Sequence, residues 1–596
     1  MRKFFILFGL LLANAVMMLQ AETVIINGLY YTLGTTTATL TSDQSSDKSV
    51  YKEYITVTIP ASVTYSNYTY PVKTIGTSAF EGCSNLQSVT LPASITTINT
   101  DAFYGCTKLG SVNLEEGLTT INKRAFYNCN LTSLIIPSTL TSTGENVFSG
   151  NPLKTIVWKP VNCSIYTGSY GLFSGSTSAI TDFTFGDQVE TVPGYLCNGM
   201  SKIEEIVLPP SVKALGTYAF AACTSLKSIN LPATQKTLPA SIFEGCTALE
   251  SIELPTTLTT INQDAFYGCT SLAEINLHEG LTTINKRAFY NCRLTTLTVP
   301  STVTSMGENV FSGNPLKSVV WKPVNCSIYT GGYAPFNNSM SQLTDFTFGD
   351  QVETVPGYLC NGMSKVEEIV LPPSVKALGT YAFAACTSLK KLEFPKGIKT
   401  LATSVLEGCS ALEEVIIPYT VTTINQDAFY NCSNLQAIHN YAIEPQTITE
   451  RAVNNVNKQT CILYVPIDYI DLYKAKAVWC NFLNIVGVAT ELQFEEQIVN
   501  LSYFNKDGSL LYMDTQTWEV PHAPYIEGFT FEKWEVMAGD LNDGIKLQAV
   551  YKADTGTGAP AHYINPANPA QKLIRRGNVY ILQDGKTYSV NGSRVE

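Results

Sequence analysis

Cysteine is the residue type whose spacing in this sequence first suggests chemistry. The chain of 596 residues has sixteen cysteines, and thiols at fixed intervals can bind metal ions, form disulfides or carry out redox reactions. Most of them recur every 23 residues within three runs, which are Cys83, Cys106 and Cys129; Cys223, Cys246, Cys269 and Cys292; and Cys386, Cys409 and Cys432. No CxxC pair or neighbouring histidine accompanies them, so zinc is not favoured. The spacing instead indicates one consensus position of a structural repeat.

A buried column of mostly reduced thiols is the interpretation that fits this spacing best. Cysteine is among the most buried side chains, and Asn151, Ser176 and Met200 fill the same position in coils that lack the cysteine. A metal or redox role would not tolerate those replacements. Occasional disulfides between neighbouring coils stay an alternative, because paired strands lie about 4.8 Å apart, within the range that a disulfide spans.

The hexapeptide Asp101–Cys106 reveals a longer period. It recurs unchanged at Asp264–Cys269 and with one substitution at Asp427–Cys432, each step being 163 residues. A period of about 23 residues inside a longer tandem duplication indicates stacked coils and not one globular core. We therefore predict an α/β to mainly β fold, a solenoid of short parallel strands joined by short helical or 3-10 turns.

Each coil must position its apolar residues toward a common core. In the coil from Ile75 to Pro92, Val89 and Leu91 alternate with polar residues, so both point inward from a short strand that Pro92 ends. Phe103 and Cys106 have the i, i+3 spacing of one tight turn and also point into the coil. Pairing of successive strands in parallel then arranges these residues in columns.

The pattern Ile-x-x-x-Ala-Phe-x-x-Cys-x-x-Leu-x-x-Val-x-Leu-Pro, read from Ile75 to Pro92, resembles the BspA-type leucine-rich repeats of bacterial cell-surface proteins. The resemblance extends over roughly residues 70–440. It implies a leucine-rich repeat solenoid and an adhesive function, with extracellular-matrix proteins, host surfaces or other bacteria as ligands.

The beginning of the chain predicts export. Arg2 and Lys3 precede an almost wholly apolar run from Phe4 to Met18, and Ala21 follows, as in a secretory signal peptide. A retained membrane anchor is the alternative, although the run is short for a spanning helix. We expect an extracellular location or one on the outer surface of a bacterial cell, with no transmembrane segment after signal cleavage.

The domain organisation follows from these patterns and from changes in composition. We predict a signal peptide at 1–21, an N-terminal cap at 22–74, the solenoid at 75–440, its C-terminal cap at 441–491, a small β-grasp-like module at 492–552, a linker at 553–570 and a tail at 571–596. The module resembles internalin B-repeats. The tail resembles the end of type IX secretion sorting domains, and a hairpin that packs on the preceding module is the alternative.

Enzymatic motifs are not evident. The four histidines, His278, His439, His522 and His562, are scattered, and no glycine-rich phosphate loop, HExxH or GxSxG motif occurs. We expect His278 and His439 at solvent-facing strand or loop positions. A net charge of −11 without basic clusters disfavours nucleic acid as a partner. The sequence therefore predicts no enzyme, no cofactor and no metal, and leaves the oligomeric state open.

Two further groups of residues have competing interpretations. The acidic pairs Glu204-Glu205, Glu367-Glu368 and Glu413-Glu414 suit solvated strand edges better than a calcium site, since no cluster of Asp and Asn ligands accompanies them. Trp158 and Trp321 occupy the position of Leu91, which favours core-facing side chains over exposed binding aromatics.

The outward positions of the repeated strand form what we call the polar shelf, about 75 Å long if roughly sixteen coils stack at about 4.8 Å each. We predict ligand binding at the shelf, and at two loop tyrosines, through Ser88, Thr90, Ser111, Asn113, Ser228, Asn230, Ser251, Glu253, Glu274, Asn276, Tyr166 and Tyr329.

Three functional hypotheses follow from the shelf. The favoured one is a secreted or cell-surface, non-enzymatic protein that adheres to host or bacterial proteins. The alternative is a glycan or glycoprotein binding module of a nutrient system, which requires that the two tryptophans and Tyr166, Tyr170, Tyr329 and Tyr333 be exposed along one groove. A hydrolase is the third, and it requires paired acids or a nucleophile and base in a pocket.

Overall fold

The computed structural model describes residues 22–42, 51–165, 171–328 and 334–488, together with seven strands beyond residue 500. The chain divides into two compact units, Met1–Ala489 and Thr490–Glu596. The first unit is a β-solenoid of about 18 turns with few helices, which confirms the predicted leucine-rich repeat fold and slightly exceeds the predicted sixteen coils.

Two rows of parallel strands form the walls of the solenoid. The first row contains the Leu-x-x-Val-x-Leu segments, at Thr56–Thr58, Ser88–Thr90, Ser111–Val112, Ser133–Ile136, Thr155–Trp158, Asp182–Phe185, Glu205–Ile206, Ser228–Ile229, Thr296–Val299, Ser318–Trp321, Asp345–Phe348, Lys391–Glu393, Glu414–Ile417, Ala437–Asn440, Ile462–Pro466 and Asn484–Val488. A bridge between Glu368 and Lys391 extends it. The second row contains shorter strands, at Tyr68–Ile75, Thr97–Ile98, Thr120–Ile121, Ser142–Thr143, Ser164–Ile165, Thr191–Val192, Ala214–Leu215, Thr237–Leu238, Thr260–Ile261, Thr283–Ile284, Ser305–Met306, Ser327–Ile328, Thr354–Val355, Ala377–Leu378, Thr400–Leu401 and Thr423–Ile424.

Tight turns, and not helices, connect the two rows at the Ala-Phe-x-x-Cys segments. The Cys106 amide donates to the Phe103 carbonyl oxygen at 3.2 Å, as the i, i+3 spacing predicts. Asp101 and Gly105 have φ values of 59° and 71°, which a continuing helix does not allow. The Phe103 amide donates instead to the Ala125 carbonyl oxygen of the next coil at 2.8 Å, so the turns also bond from coil to coil.

Stacked phenylalanine rings fill the core beside these turns. The ring centroids of Phe80 and Phe103 lie 5.1 Å apart and those of Phe103 and Phe126 lie 5.0 Å apart, with nearly parallel planes. The stack stops where Cys197 and Cys360 take the position of the phenylalanine. The ring column therefore follows directly from the repeat pattern.

Both ends of the solenoid are covered. At the beginning, the antiparallel strands Glu22–Ile26 and Leu29–Leu33 precede Ala38–Thr41, and Ser62–Tyr65 pairs with Tyr68–Ile75. At the other end lie the α-helix Ile470–Ala475 and the 3-10 helices Glu450–Val453, Ile467–Tyr469 and Trp479–Asn481; a further 3-10 helix, Thr177–Ala179, lies within the solenoid. Buried Trp479 donates from Nε1 to the Gln446 carbonyl oxygen at 2.8 Å, which fixes the closing turn.

The second unit contains two sheets. One has four strands in the order Leu510–Asp514, Leu501–Phe504, Ile545–Ala553 and Phe529–Ala538, and the other has Gln571–Arg575, Asn578–Gln583 and Lys586–Ser589. The predicted strand-rich character agrees with these elements. The internalin-like module, the sorting-like tail and the domain boundaries stay predictions. In the part of the chain that the structure describes, no helix has the length and apolarity needed to cross a membrane.

Glycines allow adjacent coils to approach closely, which gives a stability prediction. A Cβ added to Gly216 would overlap the backbone of Gly194 in the preceding coil, whereas the nearest heavy atom to a Cβ on Gly110 would be 3.9 Å away. We expect Gly216→Ala to lower the free energy of unfolding by about 1–3 kcal/mol, because the coils must separate locally. Chemical denaturation measures the effect, with Gly110→Ala as the matched control. Equal denaturation midpoints for the two variants would contradict the proposed close approach.

Candidate ligand-binding face

The polar shelf lies on the outward side of the first strand row, which we call the strand face. Ser88 is half-buried, and the other shelf residues, Thr90, Ser111, Asn113, Ser228, Asn230, Ser251, Glu253, Glu274 and Asn276, are exposed. Buried residues alternate with them, such as Val89 and Ile229. The predicted alternation is therefore observed. The segments around Ser251 and Glu274 continue the face without ladder pairing of their own.

Some shelf side chains already have partners within the solenoid. The Asn230 side chain donates to the Leu208 carbonyl oxygen at 3.0 Å and accepts from the Leu208 amide at 2.8 Å. It thus replaces a pair of backbone ladder bonds between two coils. Asn113 likewise donates to Glu115. These two residues stabilise the face. Because their polar atoms already form hydrogen bonds, they are less available to a ligand than their polarity suggests. Tyr166 and Tyr329 lie outside the described residues, so their binding role stays a prediction.

Exposed apolar residues on the same face were missed by the sequence reasoning. Ile135, Val207 and Val370 are 54%, 65% and 68% exposed, at outward positions of the first row. Strand register aligns Ile135 with half-buried Val157 and then with Thr184. The signal that could have found them is the continuous apolar triplet in Leu134–Ile136 and in Ile206–Leu208, where strict alternation is broken.

A cluster near the C-terminal end of the strand face was also missed. The Glu414 carboxylate lies 3.1 Å from Lys391 Nζ and 3.3 Å from His439 Nε2. His439 Nδ1 lies 3.3 Å from the Tyr441 hydroxyl, and the imidazole stacks on Tyr464 with centroids 4.5 Å apart. Burial lowers the pKa of His439, against the opposing effect of Glu414, and Lys391 lowers it further. We call Lys391, Glu393, Glu414, His439, Tyr441 and Tyr464 the C-terminal cluster.

Trp158 and Trp321 are fully buried, which corrects the alternative of exposed binding aromatics. Their side chains have no exposed fraction, and neither indole nitrogen has a hydrogen-bond partner among the described residues. Position in the Leu91 column is the physical reason, since the alternation of the strands Thr155–Trp158 and Ser318–Trp321 points both rings inward. A tryptophan-lined groove for glycans is therefore not formed by these residues.

The cysteine column has a role that its spacing did not reveal. The Cys106 thiol donates to the Phe80 carbonyl oxygen of the preceding coil, with Sγ and O 3.1 Å apart, and the same contact recurs in most of the column. Asn151 donates to the Phe126 carbonyl oxygen at 2.8 Å and Ser339 to that of Phe311 at 2.9 Å. The replacements that argued against metal binding are thus hydrogen-bond donors of the same kind. Met200 and Met363 fill the space without donating.

All sixteen thiols are free, and every one except that of Cys480 is buried. The alternative of disulfides between coils is therefore not observed. Burial raises the pKa of Cys163 and of Cys326 to about 12 and the pKa of Cys246 and of Cys269 well above the ordinary thiol value. Because the thiolate is the reactive form, these cysteines are poorly suited to redox chemistry.

The acidic pairs form ion pairs between coils. Glu204 Oε2 lies 2.7 Å from Lys227 Nζ, and Glu367 Oε2 lies 2.7 Å from Lys390 Nζ. Exposed pairs of this kind contribute little to stability. Within the described ranges, no group of three His, Cys, Asp or Glu side chains is placed to hold a metal ion. His278 is half-buried, and its Nδ1 lies 2.8 Å from the Glu279 carbonyl oxygen.

Comparisons with known proteins identify leucine-rich repeat proteins as similar to this chain. The family model of the BspA type leucine rich repeat region matches residues 73–201, 190–317 and 332–460. A leucine-rich repeat protein from Bacteroides ovatus is 24% identical with a TM-score of 0.46, and the match covers 74% of this chain and 99% of that one. A leucine rich cell surface protein from Faecalibacterium prausnitzii is 22% identical with a TM-score of 0.26, covering 75% and 94%. A leucine-rich repeat protein from Bacteroides capillosus is 34% identical with a TM-score of 0.20, covering 23% and 97%. No curated protein matches the chain.

The thiols give a prediction that tests whether they are packed in the core or available for reaction. At about pH 7, maleimide should modify the folded protein at Cys480 alone, because the other thiols are buried and the reagent cannot reach them. In denaturant all sixteen should react without prior reduction. Mass spectrometry counts the adducts, and Cys480→Ser should leave the folded protein unlabelled. Rapid labelling of column cysteines in the folded state, or thiols that react only after reduction, would contradict the packed and reduced column.

Proposed function

Because the chain belongs to the BspA-type leucine-rich repeat family, we propose that it is a secreted or cell-surface adhesion protein that binds partner proteins through the strand face. Leucine-rich repeat solenoids are typically binding scaffolds without enzymatic activity. The observation that carries the proposal is the parallel register of the first row, which places outward residues of successive coils side by side, as in Ser133, Thr155 and Asp182.

The composition of the strand face supports a protein as the ligand. Exposed apolar residues such as Ile135 and Val207 lie among small polar and charged ones such as Ser228 and Glu253. Protein interfaces combine an apolar centre with a polar rim, and an extended solenoid face adds many weak contacts in series. The glycan alternative is less well supported, because Trp158 and Trp321 are buried.

The proposed location follows from the sequence and the family. The basic residues Arg2 and Lys3, the apolar run from Phe4 to Met18 and the small residue Ala21 have the order of a secretory signal. The family resemblance supports the same location, because BspA-type repeats resemble those of bacterial cell-surface proteins. Matrix proteins, host surface proteins and proteins of other bacteria are therefore the partners to test first.

Two substitutions in one coil test the strand face. Val207 is exposed on the first row and Ala214 on the second row, so Val207→Arg and Ala214→Arg place the same side chain on different sides of the solenoid. We expect Val207→Arg to weaken binding to a partner protein about tenfold or more, as at an interface centre, and Ala214→Arg to leave it unchanged.

The measurement is surface plasmon resonance of the full mature chain against purified matrix and bacterial surface proteins. The thermal denaturation midpoint of each variant shows whether it is folded. Loss of binding in Ala214→Arg but not in Val207→Arg would place the interface on the other row. Absence of binding to every protein of the panel, with binding to glycans instead, would favour the alternative function.

A further inference from the structure

The tandem copies differ on the strand face near the C-terminal cap. The turn segment 381–389 is identical to 218–226, 163 residues earlier. In contrast, the outward residues of three successive coils are replaced: Ser228 and Asn230 correspond to Lys391 and Glu393, Ser251 and Glu253 to Glu414 and Ile416, and Asn276 and His278 to His439 and Tyr441. The turn segment is thus retained while the outward residues change. Ser228 and Ser251 give way to charged Lys391 and Glu414, whereas charged Glu253 and Glu274 give way to Ile416 and Ala437.

Register brings these outward residues into two adjacent lines on the strand face. Lys391 pairs with Glu414 and Glu414 with Ala437 in one line. Glu393, Ile416, His439 and Tyr464 follow one another in the other line. The His439 ring therefore lies beside the Glu414 carboxylate, 3.3 Å away.

The contacts within the C-terminal cluster indicate which ring nitrogen of His439 carries the proton. The Glu414 carboxylate has no proton to donate, so in the neutral ring the proton lies on His439 Nε2, which faces Glu414 at 3.3 Å. Nδ1 is then the acceptor for the Tyr441 hydroxyl, also at 3.3 Å. Burial lowers the pKa of His439 from its ordinary value, which favours the neutral ring at pH 7.

The charge of the cluster is negative at neutral pH. Lys391 is the one cation in it and lies 3.1 Å from Glu414. The Glu393 carboxylate is exposed, has no ion-pair partner among the described residues and lies close enough to raise the pKa of Tyr441, after burial, which is the larger cause. One unpaired carboxylate thus lies beside a tyrosine hydroxyl and the half-buried side chain of Ile416.

From this juxtaposition we infer that the C-terminal cluster binds a cationic side chain, arginine or lysine, of a partner protein. This inference rests on the proposed function and names the chemistry of its partner. Glu393 and Glu414 supply negative charge, the Tyr441 oxygen can accept a hydrogen bond, and Ile416 and Tyr464 contact the aliphatic part of the side chain. Long cationic side chains suit such a site because they combine an apolar stem with a charged end.

Fluorescent tetra-arginine and tetra-lysine peptides are the probes for the full mature chain, measured by fluorescence anisotropy at pH 7. Peptides of citrulline and of glutamate are the uncharged and anionic controls. We expect binding of one or both cationic peptides and none of the controls. Equal binding of arginine and citrulline peptides, or binding of the glutamate peptide, would overturn the inference.

The preceding copy supplies the test substitution, and the N-terminal cap supplies a matched control. Glu393→Asn introduces the residue found at Asn230, and Glu53→Asn removes the same charge from an exposed position outside the strand face. We expect Glu393→Asn to weaken peptide binding about tenfold, as for loss of a close charge partner, and Glu53→Asn to have little effect. Equal effects of both variants would show nonspecific attraction to an acidic protein, against a site. Glu414→Ser provides a second variant whose residue is accepted at Ser251.

Protonation of His439 gives an independent readout. Below the ordinary imidazole pKa of about 6.5, the ring gains a positive charge among the groups that face it, which are Lys391, Glu414, Tyr441 and Tyr464. Glu393 lies two strands away, with Ile416 between. Affinity for the cationic peptides should fall as the pH is lowered from about 7 toward about 5, the range in which imidazole side chains gain a proton. His439→Asn, the residue at Asn276, should remove that dependence. An unchanged pH profile in His439→Asn would overturn the role assigned to the ring.

The inference can fail separately from the proposed function. If Val207→Arg weakens binding to a partner protein while Glu393→Asn affects neither that protein nor the cationic peptides, the strand face binds proteins without this site. If Glu393→Asn weakens both, the cluster is part of the interface. Peptide binding that depends on Glu393, without binding of the chain to any protein of the panel, would support the site and count against the adhesion proposal.

Discussion

Each coil of this protein must lie directly on the coil before it, at the distance that backbone hydrogen bonding sets. Paired strands are separated by about 4.8 Å, and the stacked rings of Phe80, Phe103 and Phe126 have nearly that spacing. A residue of one coil therefore contacts its own counterpart in the next. Ring columns, thiols that donate to the preceding coil, and the close contact of Gly216 with Gly194 all follow from this one constraint.

The same constraint explains what the sequence could predict. Burial of Phe103, Cys106 and Trp158 followed from the repeat position alone, because the same repeat positions point into the core in every coil. The hydrogen bond of Cys106 to the Phe80 carbonyl oxygen could not be deduced, since it depends on the turn geometry of two coils. The coupling of Asn230 to Leu208 is similar, because a polar outward residue can satisfy a neighbouring backbone instead of facing a ligand. Contacts between coils of unequal length, such as His439 with Tyr464, need the register itself.

The duplicated copies keep the residues of the scaffold, whereas residues on the surface differ between them. Residues 218–226 and 381–389 are identical, and both turns bond to the next coil, as in Phe220 to Ile242 and Phe383 to Val405. An outward residue contacts the solenoid on one side only, so Ser251 and Glu414 can occupy the same position without a change in the core. A long shelf of small polar residues and a compact charged and aromatic cluster can therefore lie on one continuous strand face.

The order hydroxyl, imidazole, carboxylate in Tyr441, His439 and Glu414 resembles the arrangement of a nucleophile, a base and an orienting acid. Catalysis by such a relay would also need donors that stabilise a developing negative charge. The charged groups that act on the Tyr441 hydroxyl are chiefly Glu393 and Glu414, which, after burial, raise the pKa of Tyr441 and would repel an oxyanion. The same charges attract a cation. The electrostatics of the cluster therefore favour recognition of a positively charged side chain over covalent chemistry at the hydroxyl.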